Sequence, residues 1–245
     1  STEGRDSAGI YSVVNDDGDI SISSTGNIST KGRYSDGIFA YVTDNGDIEV
    51  TSSGNITTEG RNAFGIAAIG NDDGDVTIAS HGNITTTGRD AIGIAALVGD
   101  NGAISITSVG NVTTSGNDAI GIAATTFGDG PITINSTGSI TTSGSDADGI
   151  NVDSFGGSVT INQRGDVTVT GSDADAIDVD NADGAGNSTV TIAAGSTITG
   201  GPGSGVRGPA TASTSRVETS TAYLTSAPSP RPEKTRLRVK APAAN

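Results

Sequence analysis

Residues 82–109 read GNITTTGRDAIGIAALVGDNGAISITSV, and most of the chain is this phrase repeated with substitutions. Anchored on its first glycine, the phrase begins at Gly26, Gly54, Gly82, Gly110, Gly138, Gly165 and Gly195, at spacings of 28, 28, 28, 28, 27 and 30. So regular a period marks a solenoid, in which each unit stacks on its neighbours and cannot bury its apolar face alone. Three strand-like pieces, Asn83 to Thr86, Ile92 to Leu97 and Ala103 to Thr107, are separated by turn residues. Gly, Asn, Asp, Ser and Thr interrupt the apolar positions too often for a helical stripe. The β-branched residues instead alternate with polar ones as half-buried strands require.

Strict alternation puts Ile104 and Ile106 on one face, and other coils repeat the pair as Ile20/Ile22, Ile48/Val50, Val76/Ile78, Ile132/Ile134 and Val159/Ile161. Two further columns run through Ile28, Ile56, Ile84, Val112, Ile140 and Val167, and through Ile10, Ile38, Ile66, Ile94, Ile122, Ile150 and Ile177. Equivalent residues of stacked parallel strands lie about 4.8 Å apart, so these columns are the expected core. The fold class is therefore all-β: a parallel β-helix solenoid of about seven coils, three short strands per coil of about 28 residues, and a rod on the order of 34 Å long. It is right-handed by the usual chirality of parallel crossovers.

The corners carry their own signals. Asp17-Gly18, Asn45-Gly46, Asp73-Gly74, Asn101-Gly102 and Asp129-Gly130 recur before the third strand, and such pairs favour positive φ. Gly9, Gly37, Gly65, Gly93, Gly121 and Gly149 precede the inward Ile of the second strand, where a bend or a close approach of coils is expected. Asn27, Asn55, Asn83 and Asn111 predict an amide ladder up the stack. Arg5, Arg33, Arg61 and Arg89 form a like-charged column that needs compensation, for which Glu3, Asp6, Glu59 and Asp90 stand nearby.

The chain of 245 residues has a formal charge of −15, unevenly spread: residues 202–245 hold 7 of the 13 Lys and Arg and 2 of the 28 Asp and Glu, leaving −20 on residues 1–201. That sign opposes a nucleic-acid partner. No apolar run approaches the ~20 residues of a membrane span, so membrane insertion is not expected. Aromatics make up 3% and Cys, Met and Trp are absent, which suits a thin aliphatic core and excludes disulfides and thiolate metal sites. TEGRDSAGI at the start matches TEGRNAFGI at 58–66, so the sequence reads as a fragment opening inside a coil. Two domains follow: residues 1–200 as the repeat rod, and 201–245, rich in Pro, Ser, Thr and Arg without periodicity, as a disordered tail or linker.

Surface chemistry yields two candidate sites. Tyr11, Phe39 and Tyr41, with Val13, Ile69 and Leu97, make an apolar patch on the outer face of the second strand, and Tyr34 lies close by. A patch of this kind suits a protein or glycan partner. Farther along, the same outer face carries Asn151, Asp153, Asp178 and Asp180 beside Asp146, Asp148, Asp173 and Asp175. Calcium takes six to eight oxygen ligands, which makes Asp153, Asp178 and Asp180 candidate Ca²⁺ ligands, against the alternative of a solvated acidic face. No other cofactor is indicated, and the glycine-rich corners do not follow the calcium-binding nonapeptide repeat.

GNITTTGRDAIGIAA, DGDVTI and NGAISIT resemble the repetitive passenger regions of bacterial autotransporters, the type V secreted surface proteins, over residues 1–200. The resemblance implies an extracellular location on a bacterial cell surface, and an outer-membrane barrel and signal peptide in the full-length protein. It also implies a non-catalytic structural or adhesive stalk whose partner is a host surface, matrix or glycan. A β-helical polysaccharide hydrolase or lyase is the competing class, because Asn151-Val152-Asp153 resembles the hydrolases' Asn-x-Asp element. The remaining catalytic pattern is missing: the lone His81 stands in Ser-His-Gly, and Arg164 is solitary near the acidic cluster. A Ca-binding or ice-binding repeat protein is a further alternative; the ice-binding reading is suggested by Thr57-Thr58, Thr85-Thr86, Thr113-Thr114 and Thr141-Thr142, of which only one Thr per pair can face outward.

Overall fold

The computed structural model describes residues 1–181 and 186–202, together with the backbone of two strands, Thr219–Leu224 and Thr235–Arg238. The rod is a parallel β-solenoid built of three sheets. In the coil quoted above the strands are Ile84–Thr87, Ile94–Val98 and Ile104–Ser108, and each pairs in parallel with its equivalents in the coils before and after. Register is one-to-one: Ile94 lies between Ile66 and Ile122, and Ile106 between Ile78 and Ile134. Most inward columns thus become stacks of like residues.

The strands begin one or two residues later than the sequence pieces suggest. Ile92, expected inside the second strand, sits in the turn and is half-buried, whereas Ile94 opens the strand fully buried. The predicted core holds, with Ile38, Ile56, Ile66, Ile94, Ile104, Ile122 and Ile134 among its largest enclosed side chains. Among the described residues no helix is long and apolar enough to cross a membrane.

At the corners the positive-φ expectation is corrected. Among the described residues the left-handed positions are Asp6, Tyr34, Asn62, Asp90, Asp118, Asp146 and Asp173, one per coil at φ between 52° and 58°, together with Gly4, Gly32 and Gly195. The glycines of the Asp-Gly and Asn-Gly pairs are not among them. They are required for contact: a Cβ on Gly74 would meet the carbonyl oxygen of Gly46, and one on Gly102 that of Gly74. The column preceding the inward Ile behaves as a close approach, since a Cβ on Gly65 would strike Ile84 Cγ2 and the Gly93 carbonyl oxygen.

The amide ladder forms, but through the backbone. Asn27, Asn55 and Asn83 each accept, through Oδ1, the backbone N–H of Asn55, Asn83 and Asn111 at 2.9, 2.9 and 3.0 Å. Asp19, Asp47 and Asp75 do the same for the next coil at another corner, at 2.9, 2.9 and 2.7 Å. A short polar side chain thus satisfies an amide that the sheet ladder leaves open at the turn. Inside, the second Thr of each pair is buried and donates to a carbonyl five residues on, Thr58 to Ala63 at 2.8 Å and Thr86 to Ala91 at 2.6 Å.

Most of residues 201–245 lies outside the described residues. The strand Thr219–Leu224 pairs antiparallel with Ser188–Ala193, and Thr235–Arg238 antiparallel with Ile177–Asn181, at the last strands of two sheets.

Candidate functional site: an aromatic groove over the first coils

Three columns of the repeat converge on a groove of about 460 Å³. The left-handed corner column supplies Asp6, Tyr34 and Asn62; the column two residues later supplies Ala8, Asp36 and Phe64; the first outward position of the second strand supplies Tyr11 and Phe39. Tyr11 and Phe39 are register partners on neighbouring strands, and their rings stack at 5.2 Å with 11° between planes. That distance is close to the spacing of strands, so the rings stack along the rod and cover each other's faces. Tyr11 stays 69% exposed.

Asp36 is the chemically distinctive residue. Its Oδ1 accepts the Phe64 amide at 2.7 Å, the same corner role that Asp148 plays for the Asp175 amide. Burial in the aromatic recess pushes its pKa from 3.8 up to about 6, and the Phe64 hydrogen bond only partly offsets this. Because the folded pKa lies above the unfolded one, this carboxyl withdraws stability as pH rises from about 4 to about 6, and the cost persists above that window. Among the described residues no Lys or Arg forms an ion pair with it.

The arginine column finds its compensation partly where expected and partly beyond. Arg5 pairs with Asp6 at 3.3 Å, Arg61 with Asp90 at 3.2 Å, and Arg89 with Asp90 at 3.6 Å and Asp118 at 3.4 Å; Glu59 pairs with Lys31 at 3.4 Å. Arg33 turns to Tyr34 instead, donating through Nη2 to its hydroxyl at 2.8 Å, with the guanidinium 4.7 Å from the ring centre.

Of the residues singled out from sequence, Tyr11 and Phe39 meet in the groove, whereas Tyr41 lies two residues along the strand, between Val13 and Ile69, and does not line it. Asp153 is half-buried, and Asp178 and Asp180, which alternation sets on the outer side of their strand, are almost wholly enclosed, at 3% and 6% exposure. The backbone of Thr235–Arg238 runs antiparallel beside them, with Asp178 opposite Arg238 and Asp180 opposite Arg236. Among the described residues the three carboxylates that converge within 4.8 Å of one another are Asp16, Asp17 and Asp44, of which the sequence marked only Asp17, as a corner residue. Asn151 donates to Asp148 at 3.2 Å.

Sequence reasoning also missed Asp36 and Phe64 as groove residues, and an exposed pair, Phe127 and Phe155, at 5.6 Å. The signal was available in the columns: Phe64 stands where Ile92 and Ile120 follow, and Tyr34 where every other coil has Asp or Asn. No protein-family model, curated protein or solved structure matches the chain.

Proposed function

We propose that the rod is a non-catalytic extracellular stalk, structural or adhesive, of an autotransporter-type bacterial surface protein. The observation that carries this reading is where the polar chemistry goes. Asn27, Asn55, Asn83, Asp19, Asp47 and Asp75 hold amides of the following coil, and buried Thr58 and Thr86 hold carbonyls of their own. Side chains that another protein would devote to chemistry here sustain length. The resemblance of the repeat phrase to autotransporter passengers, together with a charge of −20 on residues 1–201, supports display in water, where like-charged rods repel.

Adhesion would fall to the aromatic surface of the first coils. The test is to display the rod behind a signal peptide and ahead of an outer-membrane barrel, then to compare attachment to matrix-coated surfaces with a Tyr11→Ser, Phe39→Ser, Tyr41→Ser variant. Attachment by the parent rod and its loss in the variant are the expected results. Turnover of a polysaccharide by the purified rod, abolished by Asp153→Asn, would overturn the non-catalytic reading.

A further inference from the structure

We propose that the groove bounded by Tyr11, Tyr34, Phe39 and Phe64, with Asp36 in its wall, binds an organic ammonium ion of the choline type. Asp36 is a carboxylate in an aromatic recess without a basic partner among the described residues, so the ligand that best relieves it is a cation. Aromatic walls add attraction through their negative ring faces. Tyr34 already draws two cations in this way, with the guanidinium groups of Arg33 and Arg5 at 4.7 and 5.6 Å from its ring centre. Asp6 serves as counter-ion to Arg5, so Asp36 is the groove carboxylate that has no ion pair among the described residues.

The kind of cation follows from the acceptors. One lone pair of Asp36 Oδ1 is taken by the Phe64 amide, which disfavours the two-pronged pairing that a guanidinium prefers. A primary ammonium is strongly hydrated and brings three donors, whereas Asp6 already pairs with Arg5, the Tyr34 hydroxyl accepts from Arg33 and Asp36 Oδ1 accepts from the Phe64 amide. A quaternary ammonium needs no hydrogen bond, is weakly hydrated and gains most from ring faces and a single negative charge.

Tyr34 supplies an independent observation. It holds φ at 58° in a slot where the other described coils place Asp or Asn, residues that tolerate the left-handed region far better than a bulky ring. Backbone strain retained at a groove wall is the pattern of a residue kept for binding at the expense of stability. The inference does not depend on where the rod is displayed, so it and the stalk reading fail separately.

The experiment is calorimetric titration of the full chain with choline and with neohexanol, the neutral isostere in which carbon replaces the nitrogen. Choline should bind saturably and at least about tenfold more tightly than neohexanol. Asp36→Asn keeps an acceptor for the Phe64 amide and should weaken choline severalfold while leaving neohexanol unchanged, because the ring faces still favour the cation. Tyr34→Asn should raise the melting temperature while weakening choline binding, which separates loss of the site from loss of the fold. Vesicles of phosphatidylcholine that retain the protein would place the ammonium on a lipid headgroup, and binding of free choline alone would make it a soluble ligand; both support the site. Equal affinity for choline and neohexanol, unchanged choline binding by Asp36→Asn, or no saturation by choline in the millimolar range would each overturn it.

Discussion

Two glycines a few residues apart show how differently one residue type can be used. Gly70 occupies an inward position between Val42 and Val98, and a Cβ added there would meet only ordinary contacts, Gly74 O at 3.6 Å and Val76 Cγ2 at 3.7 Å. Its φ is not in the left-handed region, so nothing in the backbone demands glycine. Gly70→Ala should therefore stabilise the rod by about 1 kcal/mol, by restricting the unfolded chain and adding apolar contact. At Gly74 the added carbon would run into the Gly46 carbonyl of the preceding coil. Gly74→Ala should cost at least about 2 kcal/mol, because backbone stacked on backbone cannot move aside as a side chain can. The urea midpoints of the two variants should shift in opposite directions. A Gly70→Ala protein less stable than the parent would mean that the inward side is fuller than its contacts indicate.

At the level of the strand, alternation decides what tolerates charge. Ile94 opens a strand as a fully buried residue between Ile66 and Ile122, while Ile92, two residues earlier, is half-buried in the turn. Ile94→Asp should destabilise by on the order of 4 kcal/mol, leaving a carboxylate without a partner inside three stacked columns. Ile92→Asp should cost no more than about 1 kcal/mol. Thermal melts followed by the strand signal in circular dichroism would distinguish them, and equal losses would contradict the assigned strand start. The inward columns were legible beforehand because a period of two and a period of 28 coincide in them. Strand starts were not, because Ile92 and Ile94 look alike until packing of the Gly93 column decides which begins the strand. The corner glycines were recognised for the wrong reason: Asp-Gly and Asn-Gly suggest positive φ in a hairpin, and here they answer a clash between coils. The groove stayed hidden because Asp36, Phe64 and Phe39 belong to different columns that meet only once the coil's cross-section is known. Alternation sets Asp178 and Asp180 on the outward side of their strand, but it does not give their exposure, which is 3% and 6%.

The whole molecule is close to one-dimensional, so its stability should be a sum of coil and interface contributions. Deleting Gly82–Val109 joins His81 to Gly110 and keeps every column in phase. That shorter rod should fold with an unchanged spectrum per residue and a modestly lower melting temperature. Deleting Gly82–Ala95, half a period, puts first-strand residues where second-strand residues belong and should leave the chain aggregated or unfolded. If the two deletions melted alike, the coil would not be the cooperative unit. The amide ladders at the corners have a mechanical side as well. Hydrogen bonds between coils, such as Asn55 N–H to Asn27 Oδ1, run along the axis of the rod, so tension applied end to end pulls directly on the bonds of the outermost coil. Those bonds open coil by coil, and each event releases 28 residues, about 95 Å of extended chain in exchange for about 4.8 Å of rod. Under load the rod would pay out in equal steps at nearly constant force, an extensible tether that shortens again as each coil finds its template on the one below.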